Sequence, residues 1–308
     1  MSLFEERQKR IKDLGFDYDS QPKKTVPCCN LCGEKRFVVL AHHDRYRFPA
    51  QAHGCLKCGL VFLNPVMTQE AYQDFYSSTY RPLVSAYHGR RIDAQTIRTE
   101  QQVYASERAD LLSAYISPSS GFTSLLDIGG STGVVAHHMS RCFGLKATVL
   151  DPSPMEIEHA RQLSIETIPG LLEEYEPDGN GYDLVLMCQT VDHLQDVAGA
   201  MHKVRDILND NGLFFIDIVD FRAAYLRNWS IEEAIKIDHP FYLTEATMTA
   251  FLLRAGFEVL RMDYAADHLH VSYVCRVSQP QHGYLPSNRP VENLWYEIRK
   301  VQNASRVL

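Results

Sequence analysis

The 308-residue chain is short of three things. No apolar run approaches the ~18–20 residues that cross a bilayer as a helix, which argues against membrane insertion. The N-terminal stretch has no apolar core of the signal-peptide kind, because Met1 to Leu14 is broken by Glu5, Glu6, Arg7, Lys9, Arg10 and Lys12. Positive charge is not in surplus either: 31 Lys+Arg stand against 38 Asp+Glu, a formal charge of −7. Affinity for nucleic acid comes largely from neutralising phosphates, so this balance weighs against a nucleic-acid partner without forbidding a local basic surface. Repeats and low-complexity segments are also missing. With 45% apolar and 22% charged residues there is ample material for a packed core. A soluble, cytoplasmic protein of one large or two unequal domains is expected.

Cysteine is present but unevenly placed. Cys28, Cys29, Cys32, Cys55 and Cys58 crowd the first fifth, while Cys142, Cys188 and Cys275 are scattered. An intracellular chain of this size is not expected to carry a disulfide framework. Cys29-x-x-Cys32 and Cys55-x-x-Cys58 form two knuckles, each followed by a glycine, Gly33 or Gly59. Each such turn delivers two thiolates to one ion, and zinc takes four in a tetrahedron. The spacing predicts a small zinc ribbon with Cys29, Cys32, Cys55 and Cys58 as ligands. Its role would be structural, since four protein ligands leave no open position. Cys28, His42, His43 or His53 in place of one cysteine is the alternative ligand set. A redox dithiol is disfavoured by the lack of a βαβ unit around either knuckle. So small a segment buries little surface, and the metal would supply part of its stability.

The chain reads in five stretches. Residues 1–24 suggest a charged helix and a linker containing Pro22; 25–85 form the zinc-ribbon unit; 86–119 read as a helical connector. From 120 to 278 short apolar strands alternate with amphipathic helices, which implies an α/β fold with a parallel sheet covered on both faces. Strands are expected at 124–128, 147–151, 182–187, 213–218, 257–264 and 270–277. Val197, Met201, Val204 and Leu208 fall at helical spacing between two of them. In the tail, 279–308, Val291, Leu294, Trp295, Ile298 and Val301 share one helical face, to be packed on this chain or on a second copy.

Strand 124–128 runs into Gly129-Gly130-Ser131-Thr132-Gly133, and the next strand ends at Asp151. Glycines at such a turn let backbone approach a ligand, and a carboxylate after the second strand can accept hydrogen bonds from ribose hydroxyls. The G-x-G-x-x-G fingerprint of nicotinamide enzymes fails, because Ile128 stands where its first glycine belongs. Residues 124–277 instead resemble a class I S-adenosylmethionine (SAM)-dependent methyltransferase. Asp127, Gly129 and Gly133 match the family's D/E-x-G-x-G-x-G motif, with Ser131 at the central glycine. The resemblance implies a Rossmann-like sheet, and a cofactor site built from Asp127, Gly129, Gly130, Gly133, Asp151, Leu172 and Gln189.

The first half is similar to the zinc-binding lead domain of a subgroup of these enzymes, carried by Cys58-Gly59-Leu60-Val61-Phe62-Leu63-Asn64-Pro65 and Phe75-Tyr76-Ser77-Ser78-Thr79-Tyr80. Members often act on sugar nucleotides or surface polysaccharides, deoxysugar C-methyltransferases among them. There an acid–His pair before a Phe-Tyr-Leu run supplies catalytic groups, and Asp238-His239-Pro240-Phe241-Tyr242-Leu243 is similar apart from Pro240. The resemblance makes Tyr76 and Tyr80 candidates from the zinc-binding side. Methyl transfer to a hydroxyl or an enolisable carbon needs a base, and histidine suits it. His239, with Asp238, and His193, just beyond the fourth strand, both qualify, and the sequence does not choose between them. Tyr242 reads as core, His268 and His270 as framework, and Cys188 as a buried thiol. The expected acceptor is a small molecule or glycan, methylated at oxygen or carbon. An RNA methyltransferase gripping its substrate through the ribbon and a non-catalytic SAM-binding scaffold are the rivals.

Overall fold

A computed structural model describes residues 2–177, 179, 181–286 and 288–305. Its centre is a seven-stranded sheet. In spatial order the strands are Phe257–Tyr264, His270–Val277, Leu208–Val219, Tyr182–Met187, Ser124–Ile128, Lys146–Asp151 and Glu166–Pro169. Neighbouring pairs are parallel from Leu208–Val219 to Glu166–Pro169, and His270–Val277 runs antiparallel to both of its neighbours. Side chains alternate across this sheet as the period of two demands. Leu125, Leu184, Val149 and Phe215 join the helices Ala94–Leu112 and Val134–Phe143 on one face. Leu126, Val185, Leu150 and Phe214 join Val197–Ile207 and Glu245–Ala255 on the other. Strand order reverses between Ser124–Ile128 and Tyr182–Met187, which opens a crevice at their carboxyl ends.

The expected strands are present, some a few residues longer. Glu166–Pro169 is an addition, four residues with no apolar alternation and a proline that only an edge tolerates. The expected continuous connector is interrupted. The helix Tyr80–His88 stops at Gly89, which takes the left-handed conformation, and a new helix starts at Ala94 with Asp93 accepting from the Thr96 amide at 3.1 Å.

The first half builds a four-stranded antiparallel sheet, and its edge strand comes from far along the chain. The order is Phe241–Tyr242, Val61–Leu63, Ala52–Cys55, Phe37–Ala41. Helix Leu3–Lys12 lies against Tyr80–His88. Helix Gln69–Asp74 continues through a π-type turn, Phe75–Thr79, into Tyr80–His88. The C-terminal helix Asn288–Ser305 buries Leu294, Ile298 and Val301 in the core shared with Leu40, Ala41 and Tyr225, so its apolar face is covered by this chain. The side chain of Val291, expected on that face, lies outside the described residues. Among the described residues no helix is long and apolar enough to cross a membrane.

Candidate active site

The glycine turn sits at the strand-order reversal. Gly129 has φ 68°, and a Cβ there would lie 2.5 Å from Thr190, so the turn and the loop after Tyr182–Met187 close on each other only because that position is bare. Ser131 adopts φ 51° where the family motif has glycine. It is held there by an amide donated to Asp151 Oδ2 at 3.0 Å and a hydroxyl donated to Glu156 Oε2 at 3.0 Å. Asp151 also accepts from the Ser153 amide at 2.8 Å, which leaves two of its carboxylate lone-pair positions for a ligand. Burial, opposed by these amides, pushes the Asp151 carboxyl up to about 6.

Asp127 is buried beneath the turn, and neither of its carboxylate oxygens has a hydrogen-bond partner among the described residues. Burial and then the Asp151 carboxylate push it up to about 8. An orphaned carboxyl here suits a cation, and SAM carries an ammonium and a sulfonium, so the donor set fits that cofactor. A cavity of about 380 Å³ opens above, lined by Ile128, Gly129, Pro152, Leu172, Thr190 and His193 from one half and by Gln69, Tyr72 and Tyr76 from the other. Gln189 is not in that lining. Its backbone takes φ 50° and donates to Asp217 Oδ1 at 2.7 Å, so its neighbour Thr190 faces the cavity instead.

The five candidate catalytic residues converge. Tyr76 Oη lies 2.7 Å from His193 Nδ1 and donates to the Asp238 carbonyl at 2.7 Å. His193 Nδ1 is itself 3.0 Å from that carbonyl. A carbonyl only accepts, so the arrangement requires the proton on Nδ1 and leaves Nε2 bare. The Tyr80 ring stands 5.2 Å from Tyr76 and 6.3 Å from His193, centroid to centroid. The His239 ring lies 4.5 Å from His193 and is buried, outside the cavity lining to which His193 belongs. His239 Nδ1 pairs with Asp192 Oδ2 at 2.8 Å, while its Nε2 lies 3.3 Å from Asp238 Oδ2 and 3.3 Å from Lys236 Nζ. Burial, then the neighbouring His239, holds His193 below the usual histidine range, so it is neutral at neutral pH. Burial raises Asp192 and Asp238, but the facing histidines and Lys236 outweigh it, and both stay ionised.

The segment carrying Lys236 to Tyr242 is pinned by residues remote in sequence. Asp44 is fully buried and accepts from the amides of Tyr46, Phe48 and Ile237 at 2.9, 3.0 and 3.1 Å. Tyr72 donates to the Ile237 carbonyl at 2.8 Å, and the Leu63 amide to that of Pro240 at 2.9 Å. Tyr242 closes the loop by donating to the Lys236 carbonyl at 2.6 Å, a structural duty in line with its reading as core. Sequence reasoning missed Asp192, Lys236, Asp44 and the Arg81–Glu156 ion pair (2.9 Å) that ties the first half to the glycine turn. Of these only Asp192, next to His193, carried a local signal.

Cys29, Cys32, Cys55 and Cys58 lie together, with Sγ atoms within 4.8 Å of one another and two pairs at 3.5 Å. Four thiolates ~2.3 Å from one tetrahedral zinc stand at about this separation. The knuckles fold tightly because Gly33 and Gly59 take φ 72° and 79° and donate to the carbonyls of Cys29 and Cys55. The group is not isolated: Cys29, Cys55 and Cys58 share a core with Met187, Val191 and Val197. Asn30, within the first knuckle, donates to Asp196 Oδ1 at 2.8 Å and accepts from the Ala198 amide at 2.9 Å. Cys28 is exposed and lies outside the group, and His42, His43 and His53 are not part of it either.

Sheet order, glycine turn, and the acid after the second strand describe a crevice at the switch point of an open α/β sheet, where such folds bind their ligands. The family model described as "Methyltransferase domain" matches residues 97–262, and the chain belongs to that family. Ubiquinone biosynthesis O-methyltransferase of Azorhizobium caulinodans is 25% identical over 151 residues, covering 44% of this chain and 58% of that one. The protein of the same name from Methylobacterium sp. is 32% identical over 104 residues, 32% of this chain and 41% of its own. The chain thus spans only about half the length of these curated relatives. Among solved structures, magnesium protoporphyrin IX methyltransferase from Synechocystis with bound SAH superposes with a TM-score of 0.52 at 12% identity, covering 69% of this chain and all of that one. Mitomycin 7-O-methyltransferase also gives 0.52, at 18% identity over 67% of this chain and 60% of its own. At these identities the two structures speak for the fold.

Proposed function

We propose that the chain methylates an oxygen or carbon of a small molecule, a sugar nucleotide or polysaccharide unit, with His193 as the base that faces the acceptor. The observation that carries this reading is that His193 lines the cavity beside the glycine turn while its Nδ1 is held by Tyr76 and the Asp238 carbonyl, which leaves Nε2 to meet an acceptor. SAM supplies an electrophilic methyl group on a sulfonium. Asp127, Gly129, Gly130, Gly133, Asp151 and Leu172 hold that cofactor, with Gln189 shaping the loop beneath it. His193 takes the acceptor proton at Nε2, and the resulting imidazolium is stabilised by Asp192 and Asp238 through the charge around His239. Tyr76 fixes the tautomer and Tyr80 the ring plane. His239 and Asp238 thereby act behind His193 rather than on the acceptor.

The residues 25–85 serve as a zinc-stabilised wall of the acceptor cleft, with zinc on Cys29, Cys32, Cys55 and Cys58. The methyl-donor half lies within 120–278, with 1–24, 86–119 and 279–308 as flanking and connecting pieces. The names of the curated relatives support oxygen over carbon as the atom methylated. The test is transfer of labelled methyl from SAM to a panel of sugar nucleotides and catechol-type phenols by wild type and His193→Gln. Turnover of a sugar nucleotide that falls 100-fold or more with the substitution supports the reading. Turnover of phenols alone refutes the sugar acceptor, and an unimpaired His193→Gln refutes the base.

A further inference from the structure

Helix Ala94–Leu112, expected only as a connector, turns a polar edge toward the loops around the glycine turn. Gln101, Tyr104 and Arg108 follow one another at steps of three and four residues and so share one helical face. Gln101 accepts from the Thr132 hydroxyl at 2.7 Å, inside the turn. Tyr104 and Arg108 both reach Asp217, a fully buried carboxyl on strand Leu208–Val219. The Arg108 guanidinium donates to Asp217 Oδ2 through Nη2 at 3.0 Å and Nε at 3.3 Å, and the Tyr104 hydroxyl donates to the same oxygen. That guanidinium also lies over the Tyr104 ring, 3.2 Å from its centroid. Burial, then the Asp217 carboxylate, pushes the Tyr104 phenol well above its usual range, so it remains a donor. Oδ1 of Asp217 is left to accept from the Gln189 amide at 2.7 Å.

That last bond falls where the sheet runs out. Parallel pairing of Tyr182–Met187 with Leu208–Val219 ends at Met187 opposite Ile216, and beyond it a side chain takes over from the ladder. Gln189 is exposed and sits at φ 50°, a left-handed conformation that side chains other than glycine resist. Its neighbour Thr190 lines the cavity, so close to Gly129 that a Cβ there would lie 2.5 Å from it. A Cβ on the next residue, Gly130, would lie 2.8 Å from the orphaned Asp127 carboxyl. Released to negative φ, Gln189 would carry Thr190 away from this turn. We propose that Asp217, steadied by Arg108 and Tyr104, is a positioning residue for the methyl donor: it holds Gln189 left-handed so that Thr190 closes the cavity beside Asp127. The two buried carboxyls thus divide their duties. Asp217 is saturated by protein donors, while Asp127 stays open for the cation of the cofactor. This rests on the methyl-donor reading above and is independent of the acceptor.

Calorimetric titration of the full-length protein with SAM tests it, each variant being checked first by thermal unfolding. Arg108→Leu together with Asp217→Leu removes both buried charges at once, so neither is stranded, and should weaken SAM about tenfold. Arg108→Leu together with Asp217→Asn keeps an acceptor for the Gln189 amide and should restore most of that loss. Gln189→Val leaves the core untouched, and because a β-branched side chain disfavours positive φ it too should weaken SAM about tenfold. Gln189→Gly added to the double leucine variant should bring affinity back, since glycine takes that φ freely. A role confined to core packing would show equal losses in the two paired variants and no gain from glycine. Either that result or wild-type affinity in Gln189→Val overturns the proposal. If the paired variants do not fold, Gln189→Val alone decides it. Failure of SAM to bind the wild type would strike the methyl-donor site itself, a failure distinct from these.

Discussion

Replacing Asp127 with asparagine should make the cofactor-free protein more stable and the cofactor site worse. The carboxyl is 1% exposed, unpartnered, and titrates at about 8 instead of 3.8. Between those two values the folded chain holds a proton that the unfolded chain has lost, so stability falls as pH rises through the window and levels off above about 8. From pH 5 to pH 8 the slope of ~1.36 kcal/mol per pH unit amounts to about 4 kcal/mol from this one group. Asp127→Asn has no proton to hold. Denaturant unfolding of both proteins without cofactor, at pH 5 and pH 8, should show the variant gaining about 4 kcal/mol over wild type between the two. Bound SAM should favour the ionised carboxylate, so wild type releases a proton on binding near pH 7 and the variant does not. Calorimetry in buffers of different ionisation enthalpy reads that proton, and the variant's affinity should fall about tenfold or more. A variant with wild-type pH dependence, or wild-type binding that releases no proton at pH 7, would refute the reasoning.

Methyl transfer should fall as pH drops through the lowered titration of His193, leaving a plateau that begins below the ordinary histidine value near 6.5. Tyr76→Phe should reduce kcat by roughly tenfold with KM for SAM little changed, read from initial rates. Asp44→Ala strips three backbone amides of their acceptor, so a loss of about 2–4 kcal/mol in denaturant unfolding is expected, with acceptor turnover lost before SAM binding. Unchanged stability would contradict the pinning of residues 236–242. Chelation should remove one zinc per chain, lower the thermal midpoint by several degrees, and restore both metal and midpoint on readdition. A metal-free protein of unaltered midpoint would dismiss the structural role of the four cysteines.

Much of the methyl-donor half was legible from local pattern. Strands such as 182–187 are apolar runs bounded by turn residues, and Gly129, Gly133 and Asp151 announce their turn and acid by order alone, because each is demanded by backbone conformation within a few residues. Glu166–Pro169 lacked any such period and becomes a strand only because Lys146–Asp151 offers it an open edge. The paired CxxC motifs likewise declared which cysteines would meet.

The sequence by itself therefore determined the elements, the cofactor turn and the cysteine quartet, all set by short-range periodicity and by residue types with few alternatives. Tertiary structure alone decided the order of the histidines, with His193 on the cavity and His239 behind it. That order depends on Tyr76, Tyr72 and Asp44 reaching 162, 165 and 193 residues along the chain to hold one loop. The same folding hid the contact of Lys236 with His239 and the stacking of Arg7 and Arg45 on Tyr87, because each joins residues whose meeting no local pattern announces.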